Sequence, residues 1–446
     1  MRPVELQGGS ALSATVCIIG AGAAGLALAR ALRRQGVEYD HLERHAAVGG
    51  LWDIDSPGSP MYESAHFISS RTVSGFSGFD MPADYPDYPD HRQVLAYLRD
   101  FACAHGLTER IQFSTEVTAL EQDGQRWRVT TDAGSSHTYD AVAVCTGSQW
   151  TPLAPGIDGF TGEVRHSVTY RDANEFTGKR VLIVGGGNSA CDIACDAART
   201  AASASISMRR GYWFIPKHVF GLPSDIVGGK GSFLPKRVER ALLQPLLRLL
   251  VGDLTRIGLQ KPDHKLFDTH PVLNDQLLHH IRHGDVSPRP GIKHADGQTV
   301  TFTDDSSDEF DLILLATGYQ HAVPFAQELF GDPQHPDELY LNSFSRRHPG
   351  LCAVGFLETN SGAYQLFDRQ AHIVAGHIAA VAAGDPRAGI FSARIRDDHP
   401  DLTSGLEFDT SPRHKGYVDS DAFLAYLIRT GKEFGWSPVA TARNTR

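Results

Sequence analysis

Val16-Cys17-Ile18-Ile19-Gly20-Ala21-Gly22-Ala23-Ala24-Gly25 reads as a short buried strand running into a glycine turn. Gly20 permits the tight turn, Gly22 lets the backbone approach a pyrophosphate, and Gly25 lets the following helix pack near the sheet. The helix N-terminus then faces the phosphate charge. Leu26 to Gln35 reads as that helix, and Glu38 to Leu42 as a second strand. That strand ends at Glu43, about twenty residues beyond the turn, where an acid holds the ribose hydroxyls of a dinucleotide. A lone glycine turn is weak evidence, but here the strand before it, the helix after it and the acid all match.

The same unit recurs. Arg180 to Val184 reads as a strand, Gly185-Gly186-Gly187-Asn188-Ser189-Ala190 as a turn, Cys191 to Ala202 as a helix and Ser205 to Met208 as a strand. Ala190 stands where the third glycine would be. No acid closes this second strand. Arg209-Arg210 follow it instead, and an arginine pair there suits a 2′-phosphate, hence NADPH. Two dinucleotide turns in one chain imply two dinucleotides. The sensible pair is a flavin that stores electrons and a nicotinamide that delivers them.

Composition bounds the alternatives. The chain has 446 residues, enough for two domains, and 41% of them are apolar. Its net charge of −10 is spread without a basic block, which argues against nucleic acid as a partner. Six cysteines form no C-x-x-C pair, so disulfide-reductase chemistry is disfavoured and a reduced cytoplasm is the expected location. The first apolar run is not a signal peptide. Ala241 to Val251, ALLQPLLRLLV, is too short to span a bilayer and reads as an amphipathic helix packed on the protein. Residues before Ser13 read as a loose tail, and His91 to His105 and Ala422 to Phe434 as helices. Thr115 to Thr131 reads as hairpins, and Ala141–Cys145 and Leu312–Leu315 as buried strands. His279, His280 and His283 read as a helix face, and no metal site is expected.

The segment between the units narrows the class. Phe160-Thr161-Gly162-Glu163-Val164-Arg165-His166-Ser167-Val168-Thr169-Tyr170 fits FxGxxxHxxxY, which resembles the signature of flavin-containing monooxygenases. Related Baeyer–Villiger enzymes usually end it in Trp. Gly49-Gly50-Leu51-Trp52, the stretch Tyr85 to Leu98, Cys145-Thr146-Gly147, Ala316-Thr317-Gly318-Tyr319 and Gly187 to Ala194 are also similar to that family. From the residues alone, Phe160 and His166 are ordinary linker residues of a connector; His166 is expected to organise the domain junction and is given no acid–base role.

The resemblance implies an α/β fold of glutathione-reductase-like architecture, an FAD domain (1–170 and 326–446) with an NADPH domain inserted (171–325). It implies that NADPH reduces FAD, that a flavin hydroperoxide forms with O2, and that a soft N or S nucleophile of a small molecule is oxygenated. It places Gly20, Gly22, Ala23, Ala24, Gly25, Glu43, Gly50, Leu51, Trp52, Ile68, Ser69, Val117 and Gln370 at FAD. Gly185, Gly187, Asn188, Ser189, Ala190, Asp192, Arg209 and Arg210 fall at NADPH. The polar tail after Ser437-Pro438 implies a soluble protein, and a homodimer is the expected assembly.

One position departs from the family. In Tyr62-Glu63-Ser64-Ala65-His66-Phe67-Ile68, Ile68 stands where many members carry an Asn beside the reacting flavin, and it cannot donate a hydrogen bond. Ser69 and His66 are the candidates to replace it. The readings left open are Baeyer–Villiger oxidation of ketones, an NADPH oxidase that releases peroxide, and a flavin-binding sensor.

Overall fold

The computed structural model describes residues 12–229, 236–332, 335–336, 338–408 and 416–436. The tail before Ser13 lies almost wholly outside the described residues, as does the segment from Ser437. The first unit runs β1 (Leu12–Ile19), α1 (Ala23–Arg34) and β2 (Val37–Leu42), followed after long loops by α2 (His91–Ala104), β3 (Ile111–Gln112) and β4 (Ala141–Val144). Val16, Cys17 and Ile18 are fully buried, as a parallel strand covered on both faces must be. β1 pairs in parallel with β2 (Val16 opposite Tyr39) and with β4 (Val16 opposite Ala141). An antiparallel three-stranded sheet of residues 117–139 interrupts the run.

The second unit contains β5 (Glu163–His166), β6 (Arg180–Val184), α3 (Asn188–Thr200), β7 (Ser203–Ser207), α4 (Lys236–Val251), β8 (Val286–Arg289) and β9 (Leu312–Leu315). Its sheet has the order β8-β7-β6-β9-β5, with every neighbour parallel. β5 therefore belongs to the second domain, so that domain begins at Glu163 or earlier, ahead of the expected boundary at 170. The signature segment, read as a connector, is an edge strand pairing Glu163 with Leu312.

The chain then returns. β10 (Leu339–Tyr340), β11 (Phe344–Ser345) and β12 (Leu351–Ala353) complete the first sheet, in the order β10-β11-β12-β4-β1-β2-β3. The 19-residue α5 (Tyr364–Ala382) packs its buried face on α1 in one apolar cluster. The C-terminal helix over Ser420–Phe434 joins that cluster through Phe423, Leu427 and Phe434. The two crossings between domains are pinned together, because Thr151–Pro152 pairs antiparallel with Tyr319–Gln320.

Helix α4 corrects one expectation in part. Its inner face packs Leu247 against Trp213 and Leu266. Its outer face carries Leu242 and Leu249 at 60% and 81% exposure, so the helix is only half covered. Among the described residues no helix is long and apolar enough to cross a membrane.

Candidate active site

The first turn is shaped by backbone demands that only glycine meets. Gly20 has φ +105°, and a Cβ there would lie 2.7 Å from the Cys145 carbonyl oxygen. A Cβ on Gly25 would lie 1.9 Å from the Gly20 oxygen, so α1 sits directly against the turn. Gly22 caps α1 with no side chain, which leaves the first-turn N–H groups of α1 open to a ligand. Gly50 presses from above, with a Cβ there only 2.9 Å from the Gly22 Cα. Ala23 and Ala24 open α1, and Leu51 and the half-buried Trp52 follow Gly50.

Glu43 is buried under this turn. Its Oε2 accepts from the Ala21 N–H at 2.5 Å and its Oε1 from the His45 N–H at 2.8 Å. A carboxylate has about four lone-pair sites, so two remain for hydroxyl donors. Beside the turn, the Thr146 Oγ1 is buried with no partner. An open helix N-terminus, an acid with spare acceptors and an orphaned hydroxyl fit the diphosphate and ribose of a dinucleotide. Val117 lies buried at the start of a strand nearby in sequence to β3 and offers only its backbone.

The second turn repeats this plan. Gly185 has φ +140°, and its N–H donates to the Ser207 oxygen at 3.0 Å. Gly187 caps α3 without a side chain, and a Cβ there would meet nothing within 4 Å. Ala190 fits in the third-glycine place, its methyl 3.4 Å from where a Gly185 Cβ would stand. At the end of β7, Arg209 is exposed, and the Arg210 guanidinium lies 5.8 Å from the Tyr212 ring centre. Tyr212 packs on the turn itself, since a Cβ on Gly186 would lie 2.1 Å from its Cε2.

Two residues expected at NADPH have committed side chains. Asn188 Oδ1 accepts from the Leu273 N–H at 2.8 Å. Asp192 accepts from Asn274 Nδ2 at 2.7 Å and from the Tyr62 hydroxyl at 3.3 Å. These side chains brace the turn from behind, which leaves their backbone for a ligand. The Ser189 hydroxyl meets the Tyr62 hydroxyl, so the turn touches the first domain directly.

The seam between the domains is built by the signature. His166 accepts from the Val168 N–H at its Nδ1, which leaves its Nε2–H to donate to the Gly318 carbonyl at 3.0 Å. Burial holds this imidazole below its usual pKa, keeping it neutral as the two bonds require. Tyr170 is fully buried, stacks on Phe176 at 4.9 Å, and donates to Asp196 Oδ2 at 2.9 Å. Ser64 donates to the same oxygen at 2.5 Å.

Neither candidate to replace the missing Asn has a donor to spare. His66 Nδ1 donates to the Ser64 carbonyl, so its Nε2 is an acceptor, and it faces the Lys217 ammonium. Ser74 Oγ donates to the Ser70 carbonyl, so the Ser69 hydroxyl must donate to Ser74 Oγ at 2.7 Å. Ile68 itself is half-buried in the same strap. Gln370 is buried in α5, where its Nε2 donates to the Leu341 carbonyl and to Ser343 Oγ, tying that helix to the β10–β11 hairpin, while its Oε1 is buried with no partner.

Sequence reasoning gave no individual role to Tyr62, Asp196, Lys217, Tyr212 or Asn274. Their partners lie up to 151 residues away, and no local spacing marks such contacts. Among the described residues no group of three or more metal-ligating side chains gathers.

A family model for flavin-binding monooxygenase-like proteins matches residues 13–390. The chain is 32% identical over 370 residues to flavin-containing monooxygenase 5 of Oryctolagus cuniculus, spanning 77% of this chain and 69% of that protein. Its fold is similar to S-allyl-L-cysteine S-oxygenase from Allium sativum, with TM-score 0.65, 22% identity, and 96% and 90% of the two chains covered. It is also similar to a flavin-containing monooxygenase from Stenotrophomonas maltophilia, with TM-score 0.63, 21% identity, and 82% and 98% covered.

Proposed function

This chain belongs to the flavin-binding monooxygenase-like family, and from that premise we propose that it oxygenates a soft nitrogen or sulfur centre of a small molecule. FAD occupies the first turn and NADPH the second, with O2 as the oxygen source. The observation that carries this reading is the pairing of two side-chain-free helix N-termini, Gly22 on α1 and Gly187 on α3, across one polar seam. FAD supplies the redox chemistry with O2. The residues of the chain bind the two phosphate groups, hold the domains in register through His166 and Tyr170, and limit water access.

Glu43 orients the first ribose, and Arg209 with Arg210 select the 2′-phosphate. Little acid–base machinery is needed for attack by a soft nucleophile. Nitrogen and sulfur are favoured over ketones because the signature ends in Tyr170, and the relatives include an enzyme named as an S-oxygenase. Six free cysteines, five of them buried, suit a reduced cytoplasm.

The test is to mix FAD-loaded protein with NADPH in air over panels of thioethers, amines and cyclic ketones. Sulfoxides or N-oxides formed in step with NADPH consumption are expected. Lactones from the ketones, or peroxide as the sole product, would replace this reading with one of its rivals.

A further inference from the structure

A charged contact at the seam is not explained by nucleotide binding. Asp192 lies one turn into α3, directly after the second glycine turn, and its two oxygens accept from Asn274 and Tyr62. Both of these partners are neutral. The ammonium of Lys217, which is bonded to His66, acts on this carboxylate across space without an ion pair to it. Burial raises the Asp192 carboxyl above the usual carboxylate range, and the Lys217 charge works against that rise.

Lys217 stands where three segments meet. Its ammonium donates to His66 Nε2, the lone-pair nitrogen of that ring, in the strap that carries Ile68. Its carbonyl accepts from the Tyr88 hydroxyl at 2.5 Å, and its ammonium lies 5.7 Å from the centre of the Tyr88 ring. The next residue, His218, reaches Asp87 at 3.1 Å. One side chain of the second domain thus grips two loops of the first while facing the helix that begins at the second dinucleotide turn. Tyr62 closes the circuit, because its hydroxyl touches both Asp192 and Ser189 of that turn.

We infer that Lys217, hydrogen-bonded to His66 and lying over the Tyr88 ring, is a positioning residue that sets the distance between the nicotinamide turn and the flavin-side strap. The inference rests on the proposed FAD and NADPH sites. Lys217 touches neither reactant in this scheme and acts through the strap and α3. A displacement of about 1 Å at a reacting centre costs on the order of a hundredfold in rate, so the consequence falls on electron delivery and leaves affinity nearly untouched.

The experiment uses the full-length FAD-loaded protein, mixed with NADPH without oxygen and followed by flavin bleaching. Lys217→Met is expected to slow the limiting bleaching rate about ten- to a hundredfold. Its apparent dissociation constant for NADPH should stay within about threefold. Lys217→Arg, which keeps the cation, should recover most of the rate. Asp192→Asn combined with Lys217→Met should be faster than Lys217→Met alone, because no carboxylate is then left stranded.

Where Lys217→Met fails to retain FAD, the Arg and double variants carry the test: recovery of FAD and rate in both supports the positioning role of the cation, and failure in both overturns it. A wild-type rate in Lys217→Met also overturns it. A wild-type protein that bleaches normally yet oxygenates nothing removes the proposed function and leaves the positioning role standing. A wild-type protein that NADPH does not bleach removes both.

Discussion

Gly187→Ala should leave the protein folded and FAD-loaded while weakening NADPH. Gly187 has φ −82° and ψ 177°, a conformation alanine adopts without strain. Its new methyl would meet nothing within 4 Å of the protein. The N-cap change costs at most about 1 kcal/mol, and in a domain this large that moves the midpoint by about 2–4 °C. The methyl would instead project where a pyrophosphate must come against the backbone. Forcing one extra methyl into a fitted contact costs about 1–3 kcal/mol, which is about a 5- to 150-fold rise in dissociation constant. Gly25→Ala is the contrast, because its methyl would lie 1.9 Å from the Gly20 oxygen and must displace α1. That variant should lose FAD and stability together. The assay is anaerobic titration of the flavin with NADPH, with thermal unfolding alongside. An unchanged NADPH dissociation constant in Gly187→Ala would refute the assignment of the second turn.

Replacing Arg209 and Arg210 by Ser should cost about 10- to 100-fold in NADPH affinity and little in NADH affinity, checked by comparing kcat/KM for the two. Equal losses for both cofactors would mean that the pair reads something other than the 2′-phosphate. Ile68→Asn introduces a donor at a half-buried place in the strap, and the ratio of oxygenated product to peroxide should rise about tenfold, measured against NADPH consumed. No change would show that the strap does not face the reacting centre. Burial lowers the imidazoles of His41 and His372 to about 4 from 6.5. A depressed folded-state pKa gives stability that is present above the unfolded value and lost as pH falls. Each group should therefore cost up to about 1.4 kcal/mol per pH unit between 6.5 and 4, read from urea midpoints. A flat profile over that window would contradict their burial as neutral rings.

The parts legible in sequence are those fixed by local backbone geometry. A turn that needs φ near +105° at Gly20 or +140° at Gly185 admits almost no other residue, so the glycines announce it. The four-residue apolar strands of Ala141–Val144 and Leu312–Leu315 were equally plain, because parallel strands covered on both faces are continuous in character. What escaped reading was set by tertiary contact. Glu163–His166 is short and its burial alternates poorly, so nothing local says that it joins the second sheet. Gln370 sits in a sequence similar to a flavin-facing segment, yet its Nε2 is taken by Leu341 and Ser343, pairings no local spacing announces. Asp192 and Asp196 stand one turn apart on α3; the first is expected at NADPH and the second reads from sequence as an ordinary helix residue. The strap laid across them adds a partner to each, Tyr62 for one and Ser64 for the other, beside Asn274 and Tyr170.

The pairing of Thr151–Pro152 with Tyr319–Gln320 brings the way out of the first domain and the way back side by side. The intervening stretch is thus a cassette with adjoining ends. Exchange of that cassette between relatives needs two cuts at a single short ribbon, after Pro152 and before Tyr319. What such a chimera must preserve is the matching of Tyr62, Ser64 and His66 to the incoming α3 and to Lys217. Breeding a new coenzyme preference into this scaffold is thereby a problem of one joint and one surface, and the flavin-bearing half can be inherited whole.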